Sequence, residues 1–95
     1  MALIFSRQLI SRKLVKLMLD YNEWEKAAIS FYDNIGKKVR IYCTDGDIIT
    51  GISNGYSYDE DDTGNNVCIL RIADTSEGYD MNLFRTDVEK VEFIA

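Results

Sequence analysis

The hydrophobic positions of this chain repeat at two different spacings, and the change from one to the other falls at Gly36. Before it, Leu9, Ile10, Leu14, Leu17, Met18 and Tyr21 recur three and four apart, while Arg12, Lys13 and Lys16 gather on the opposite side. That pattern predicts an amphipathic helix. Asp20 and Asn22 each stand three residues before a glutamate, Glu23 and Glu25. In this capping-box arrangement side chain and backbone satisfy each other's free N–H groups, so a second helix is expected to begin near Asn22. Its apolar face is Trp24, Ala27, Ala28, Phe31 and Tyr32, and Asn34 with Gly36 supplies the stop. The two segments can equally be one long, bent helix.

After Gly36 the period falls to two. Val39, Ile41 and Cys43 alternate with Arg40 and Tyr42, a half-buried strand, and Asp45-Gly46 is a hairpin signal because both residues tolerate positive φ. A longer strand follows over residues 48–58. Gly51 and Gly55 lie inside it, where they weaken pairing but permit a bulge or sharp bend, so a strongly curved sheet is expected. A third strand covers residues 67–73, with Cys68, Leu70 and Ile72 inward and Arg71 in water. Thr75-Ser76-Glu77-Gly78 makes the next turn, residues 79–84 a fourth strand, Arg85-Thr86-Asp87 a tight turn or one helical turn, and residues 88–94 a fifth. Val91, Phe93 and Ala95 share a face of that last strand, and Val88 is placed to fill the bottom of the fold.

The fold class read from this order is mainly β with an N-terminal α part. Residues 1–35 form a helical segment that packs on or extends from the rest, and residues 36–95 form a five-stranded, strongly bent antiparallel small barrel. The chain of 95 residues is 46% hydrophobic, enough for one core without metals or disulfides.

Composition then narrows the chemistry. With no His and only Cys43 and Cys68, histidine-based triads, Cys-x-x-Cys sites and His-rich metal sites are excluded. The apolar start of the chain is interrupted by Arg7, Arg12, Lys13 and Lys16 before it reaches the length of a signal core or membrane span. A cytoplasmic protein is expected, with both thiols reduced and serving as small core residues. Net charge is −5, yet residues 1–40 carry eight Lys/Arg against four Asp/Glu, a net +4, and residues 41–95 carry three against twelve, a net −9. Such polarity fits a basic arm for an acidic partner, a head and tail that attract in self-assembly, or a basic helix packed beside an acidic β-part.

The run Ile35-Gly36-Lys37-Lys38-Val39-Arg40-Ile41, then Asp45-Gly46 and Gly51, resembles the first motif of the Sm-like (LSm) family: a helix leading into a V-x-I strand, a glycine-bearing turn and a bent strand with a second glycine. The resemblance covers residues 24–94. It is nearest to short single-domain bacterial Sm-like proteins, which carry a long acidic insertion between the second and third strands; other small SH3-like barrels are the alternative. The resemblance implies ring-shaped assembly, with the fourth strand of one subunit, here Met81–Phe84, pairing with the fifth of the next, here Val91–Ile94. It also implies RNA contacts in two loops. Asp62 and Asn66 match the first motif, with Asn65 where an apolar or aromatic residue stacks on a base, and Arg85 matches the second, with Thr86 in its glycine position.

Electrostatics weigh against RNA at that place, because Asp59, Glu60, Asp61 and Asp62 set four carboxylates beside the base pocket. A basic face of Arg7, Arg12, Lys13 and Lys16 with Lys37, Lys38 and Arg40 is the better candidate for nucleic acid, its bland reading being a solvated helix face. As a calcium loop, Asp59-x-Asp61-x-Thr63-Gly64 imitates the start of an EF-hand, but the bidentate glutamate of the twelfth position falls on Leu70. The acidic run lacks a base of another type or a cation to hold phosphate, so it reads as a soluble connection. No catalytic residue, metal or cofactor is expected. The sequence reading is a non-enzymatic Sm-like module that self-associates or binds protein; the alternatives are an RNA-binding Sm-like protein and a membrane- or partner-docking protein acting through the basic helix.

Overall fold

A computed structural model describes residues 18–94 of the chain. The expected basic helix, with Arg7, Arg12, Lys13 and Lys16, lies outside them, as does Ala95. Helix α1 spans Tyr21–Asp33. It is opened by Asp20, whose carboxylate accepts from Glu23 N at 2.8 Å while the Glu23 carboxylate accepts from Asp20 N at 3.4 Å. The capping box is therefore the one built on Asp20, not the one on Asn22. Because Asp20 is extended (φ −73°, ψ 172°), no continuous helix runs through this point, and Tyr21 begins the new helix instead of closing an earlier one. Trp24, Ala28 and Phe31 are buried as the spacing predicts, but Tyr32 is exposed, its ring lying edge-on to Tyr56 on the sheet.

Five strands follow: β1 Lys38–Cys43, β2 Ile48–Glu60, β3 Asn66–Ala73, β4 Met81–Leu83 and β5 Val88–Phe93. They form one antiparallel sheet in the order β4-β3-β2-β1-β5. The sheet is not closed: β4 and β5 stand at its two ends and are not paired with each other. Closure by main-chain pairing is denied partly because β4 is only three residues long, well short of residues 79–84. Tyr79 belongs to the preceding turn, and after Leu83 the chain passes through Phe84 into a 3-10 turn, Arg85–Asp87.

Strand β2 serves two neighbours, β1 through residues 48–52 and β3 through residues 52–60, and its glycines make the bend between them. A Cβ at Gly51 would lie 2.7 Å from the Ala73 carbonyl oxygen and 2.7 Å from Ile72 Cγ1. Gly55 takes φ +79° inside an interruption of the register between Ser53 and Tyr56. Between the glycines, buried Ser53 ties the bend to the helix end. Its hydroxyl donates to the Phe31 carbonyl at 2.9 Å, its N–H to Lys37 O at 2.9 Å, and its carbonyl accepts from Gly36 N at 2.8 Å.

One apolar core results, joining Trp24, Ala28 and Phe31 to Val39 and Ile41 of β1, Leu70 and Ile72 of β3, Leu83 and Val88. Two expectations on the strands change. Cys68 is only half-buried while Ile69 is buried, and β2 continues through Asp59 and Glu60, so half of the acidic run is strand. The β1–β2 turn takes its positive φ at Gly46 alone. Cys43 and Cys68 are both free, and β2 separates their strands.

Candidate groove between the helix and the sheet

Between α1 and the far ends of β2 and β3 lies an open groove of about 650 Å³. Tyr21, Trp24, Ala28 and Ile29 line it from the helix, Tyr56 and Tyr58 from β2, Asn66, Val67 and Cys68 from β3, and Phe84, Arg85 and Thr86 from the 3-10 turn region. Trp24 is the floor: its ring is buried and its indole N–H donates to the Cys68 carbonyl at 2.9 Å, which fixes the ring against β3. Tyr56 and Tyr58, two apart on β2, point the same way as strand geometry requires, with ring centroids 6.1 Å apart and Tyr32 continuing the row 6.2 Å from Tyr56.

Arg85 closes one end. Its guanidinium sits 4.0 Å over the Tyr21 ring and donates to the Leu19 carbonyl at 2.8 Å. Its charge is thus already engaged by an aromatic face and a carbonyl. At the other end stands the β2–β3 turn, residues 61–65. The Asp61 carboxylate accepts from the Thr63 hydroxyl at 2.7 Å and from the N–H groups of Thr63 and Asn65, each at 2.9 Å. These bonds, that of the Thr63 hydroxyl above all, hold the Asp61 carboxyl below its ordinary pKa. The turn is a short Asx-type structure organised by one of its own acids, not a long loop. That same commitment speaks against a calcium loop, as does Leu70, which is fully buried. Among the described residues no group of three or more acidic or cysteine side chains is arranged to hold a metal ion.

The residues proposed from sequence separate into three groups. Asn66 and Arg85 line the same groove, although 19 positions apart in the chain. Asp62 is exposed on the turn and does not line it; Asp61 does. Lys37 and Lys38 are exposed where β1 begins, while Arg40 is paired with Glu92 of β5 at 2.9 Å, so its charge is partly spent inside the sheet. The sequence gives no sign of Ile29, which lies off the predicted apolar face of the helix yet flanks the groove at 53% exposure. Its neighbour Glu25 is exposed, and with Asp61 it makes the rim acidic. Cys68 inside the groove has its thiol pKa raised, by burial first and by Glu25 second, so it stays a neutral thiol near pH 7.

The groove therefore offers aromatic and aliphatic surface, an acidic rim and one engaged guanidinium. Such a surface is chemically complementary to apolar groups flanked by positive charge. Among the described residues no helix is long and apolar enough to cross a membrane. Comparisons of the chain with protein-family models, with curated proteins and with solved structures found no match.

Proposed function

We propose that this protein is a non-enzymatic Sm-like binding module that assembles with copies of itself through its sheet edges. The observation that carries the reading is the strand order, in which β4 and β5 are the two ends of the sheet. They are the strands that the Sm-like resemblance implies meet between subunits. A β4 edge of one copy set beside a β5 edge of the next continues the sheet and satisfies main-chain groups that an open edge leaves to water. The helix leading into five strands and the second strand bent at Gly51 and Gly55 support the same resemblance. The short β4 and the single contact from Leu19 N to the Val88 carbonyl, at 3.1 Å, leave most of each edge available among the described residues. Sedimentation of the full chain over a wide concentration range is expected to give a particle several times the monomer mass. A monomer at every concentration overturns the assembly.

A second reading, RNA binding of the Sm-like kind, is favoured by the convergence of Asn66 and Arg85 on one groove with aromatic faces. Against it stand the carboxylates of Asp59, Glu60, Asp61 and Asp62 and the prior engagement of Arg85. It requires U- or A-rich RNA to bind at low salt, to dissociate steeply as salt rises, and to be lost in Asn66→Ala. No binding at low salt removes it.

A further inference from the structure

We infer that the groove between α1 and the β2–β3 ends is the seat of this chain's own residues 1–17, which cover it with their apolar stripe. The groove has more aromatic and aliphatic surface than its own walls cover: Tyr21 is 75% exposed, Tyr58 63% and Ile29 53%. Leu19, the second described residue, is already packed against the core. Its N–H donates to the Val88 carbonyl and its carbonyl accepts from Arg85, which lines the groove beside Tyr21. Leu19 therefore stands at the mouth of the groove.

The sequence that precedes Leu19 is complementary to the groove. Residues 1–17 carry Ile10, Leu14 and Leu17 at helical spacing, with Arg12, Lys13 and Lys16 on the other side. As a helix, this length reaches about 25 Å. The rim offers Glu25 and Asp61, and Asp59, Glu60 and Asp62 stand beside it. Apolar stripe on apolar floor and basic flank on acidic rim bury the hydrophobic surface and pair the two halves of a chain whose charges are divided +4 and −9. A segment tethered at the groove mouth acts at an effective concentration of the order of millimolar, which favours it over the same segment of a second copy. The inference does not rest on edge-to-edge assembly, which joins β4 of one copy to β5 of the next.

Cys68 reports on the groove, and Cys43, 8% exposed in the core, reports on the fold. In the full chain at neutral pH, maleimide labelling of Cys68 is expected to be slow and independent of protein concentration. The double variant Ile10→Glu, Leu14→Glu is expected to speed it about tenfold or more while Cys43 stays slow. Equal Cys68 rates in the two proteins overturn the inference, and a wild-type rate that climbs on dilution overturns it in favour of a second copy. Should Cys43 react as fast as Cys68 in the variant, its fold is lost and the wild type decides. Zero-length carbodiimide coupling of the dilute full chain is then expected to join Lys13 or Lys16 to Glu25 or to an acid of residues 59–62 within one chain. Absence of all such amides overturns the inference.

Discussion

Gly51 shows how little freedom the bend in the sheet leaves at a single residue. A methyl group there would press on the Ala73 carbonyl and on Ile72, one of the most deeply buried side chains, and backbone cannot yield as a flexible side chain can. Gly51→Ala is expected to lower the unfolding free energy by about 1–3 kcal/mol, read as a lower denaturation midpoint in urea at unchanged slope. Gly55→Ala has the strain of its positive φ but only ordinary contact, 3.4 Å from Ile35, so its cost is expected to be smaller, about 1 kcal/mol. Cys43 makes a residue-level prediction in pH. Burial first, and then Asp45, Asp47, Asp87 and Glu77, push its thiol from the ordinary 9.0 to about 11. The folded state thus holds the proton more tightly than the unfolded chain. Its stabilising effect is complete below pH 9 and is lost as pH rises toward 11. Urea midpoints measured between pH 8 and 11 are expected to fall, and Cys43→Ala is expected to flatten that part of the curve.

At the scale of elements, helix α1 depends on its first turn because no basic side chain occupies its last. Asp20→Ala removes the acceptor for Glu23 N, with an expected loss of about 1 kcal/mol in thermal or denaturant unfolding. The β2–β3 turn depends in the same way on Asp61. Asp61→Ala is expected to speed amide hydrogen exchange at Thr63 and Asn65, the two N–H groups its carboxylate accepts from, and to leave the β1–β2 amides unchanged. Element identity was legible because it follows from local rules: the capping box at Asp20, the alternation of Val39, Ile41 and Cys43, and glycine at the turns. Two boundaries were not legible. Asp59 and Glu60 read as loop because acids disfavour strands, yet pairing with Val67 and Asn66 keeps them in β2. Residues 79–84 read as a full strand, yet only three of them pair with β3.

At the scale of the whole molecule, helix and sheet share one core, with Trp24 and Phe31 against the same cluster as Val39, Leu70 and Val88. Unfolding followed by Trp24 fluorescence and by far-UV circular dichroism is therefore expected to trace one coincident transition; separated midpoints would mean that α1 detaches on its own. The chain's periodicities were sufficient to determine the helix that closes near Asn34, five strands, the bend in the second and most of the buried positions among the described residues, because each depends on neighbours within a few residues. It was the resemblance to Sm-like proteins, not the periodicity, that singled out Asn66 and Arg85. That these two line one groove, that Asp62 does not, and that Arg85 is occupied by Tyr21 and Leu19, depends on segments far apart in sequence, and no local pattern records such distances. The same holds for the open edges: spacing yields five strands, but only their lateral order shows that β4 and β5 end the sheet unpaired with each other. Local chemistry sets what each segment becomes, while long-range packing alone sets which segments meet and which surface is left exposed.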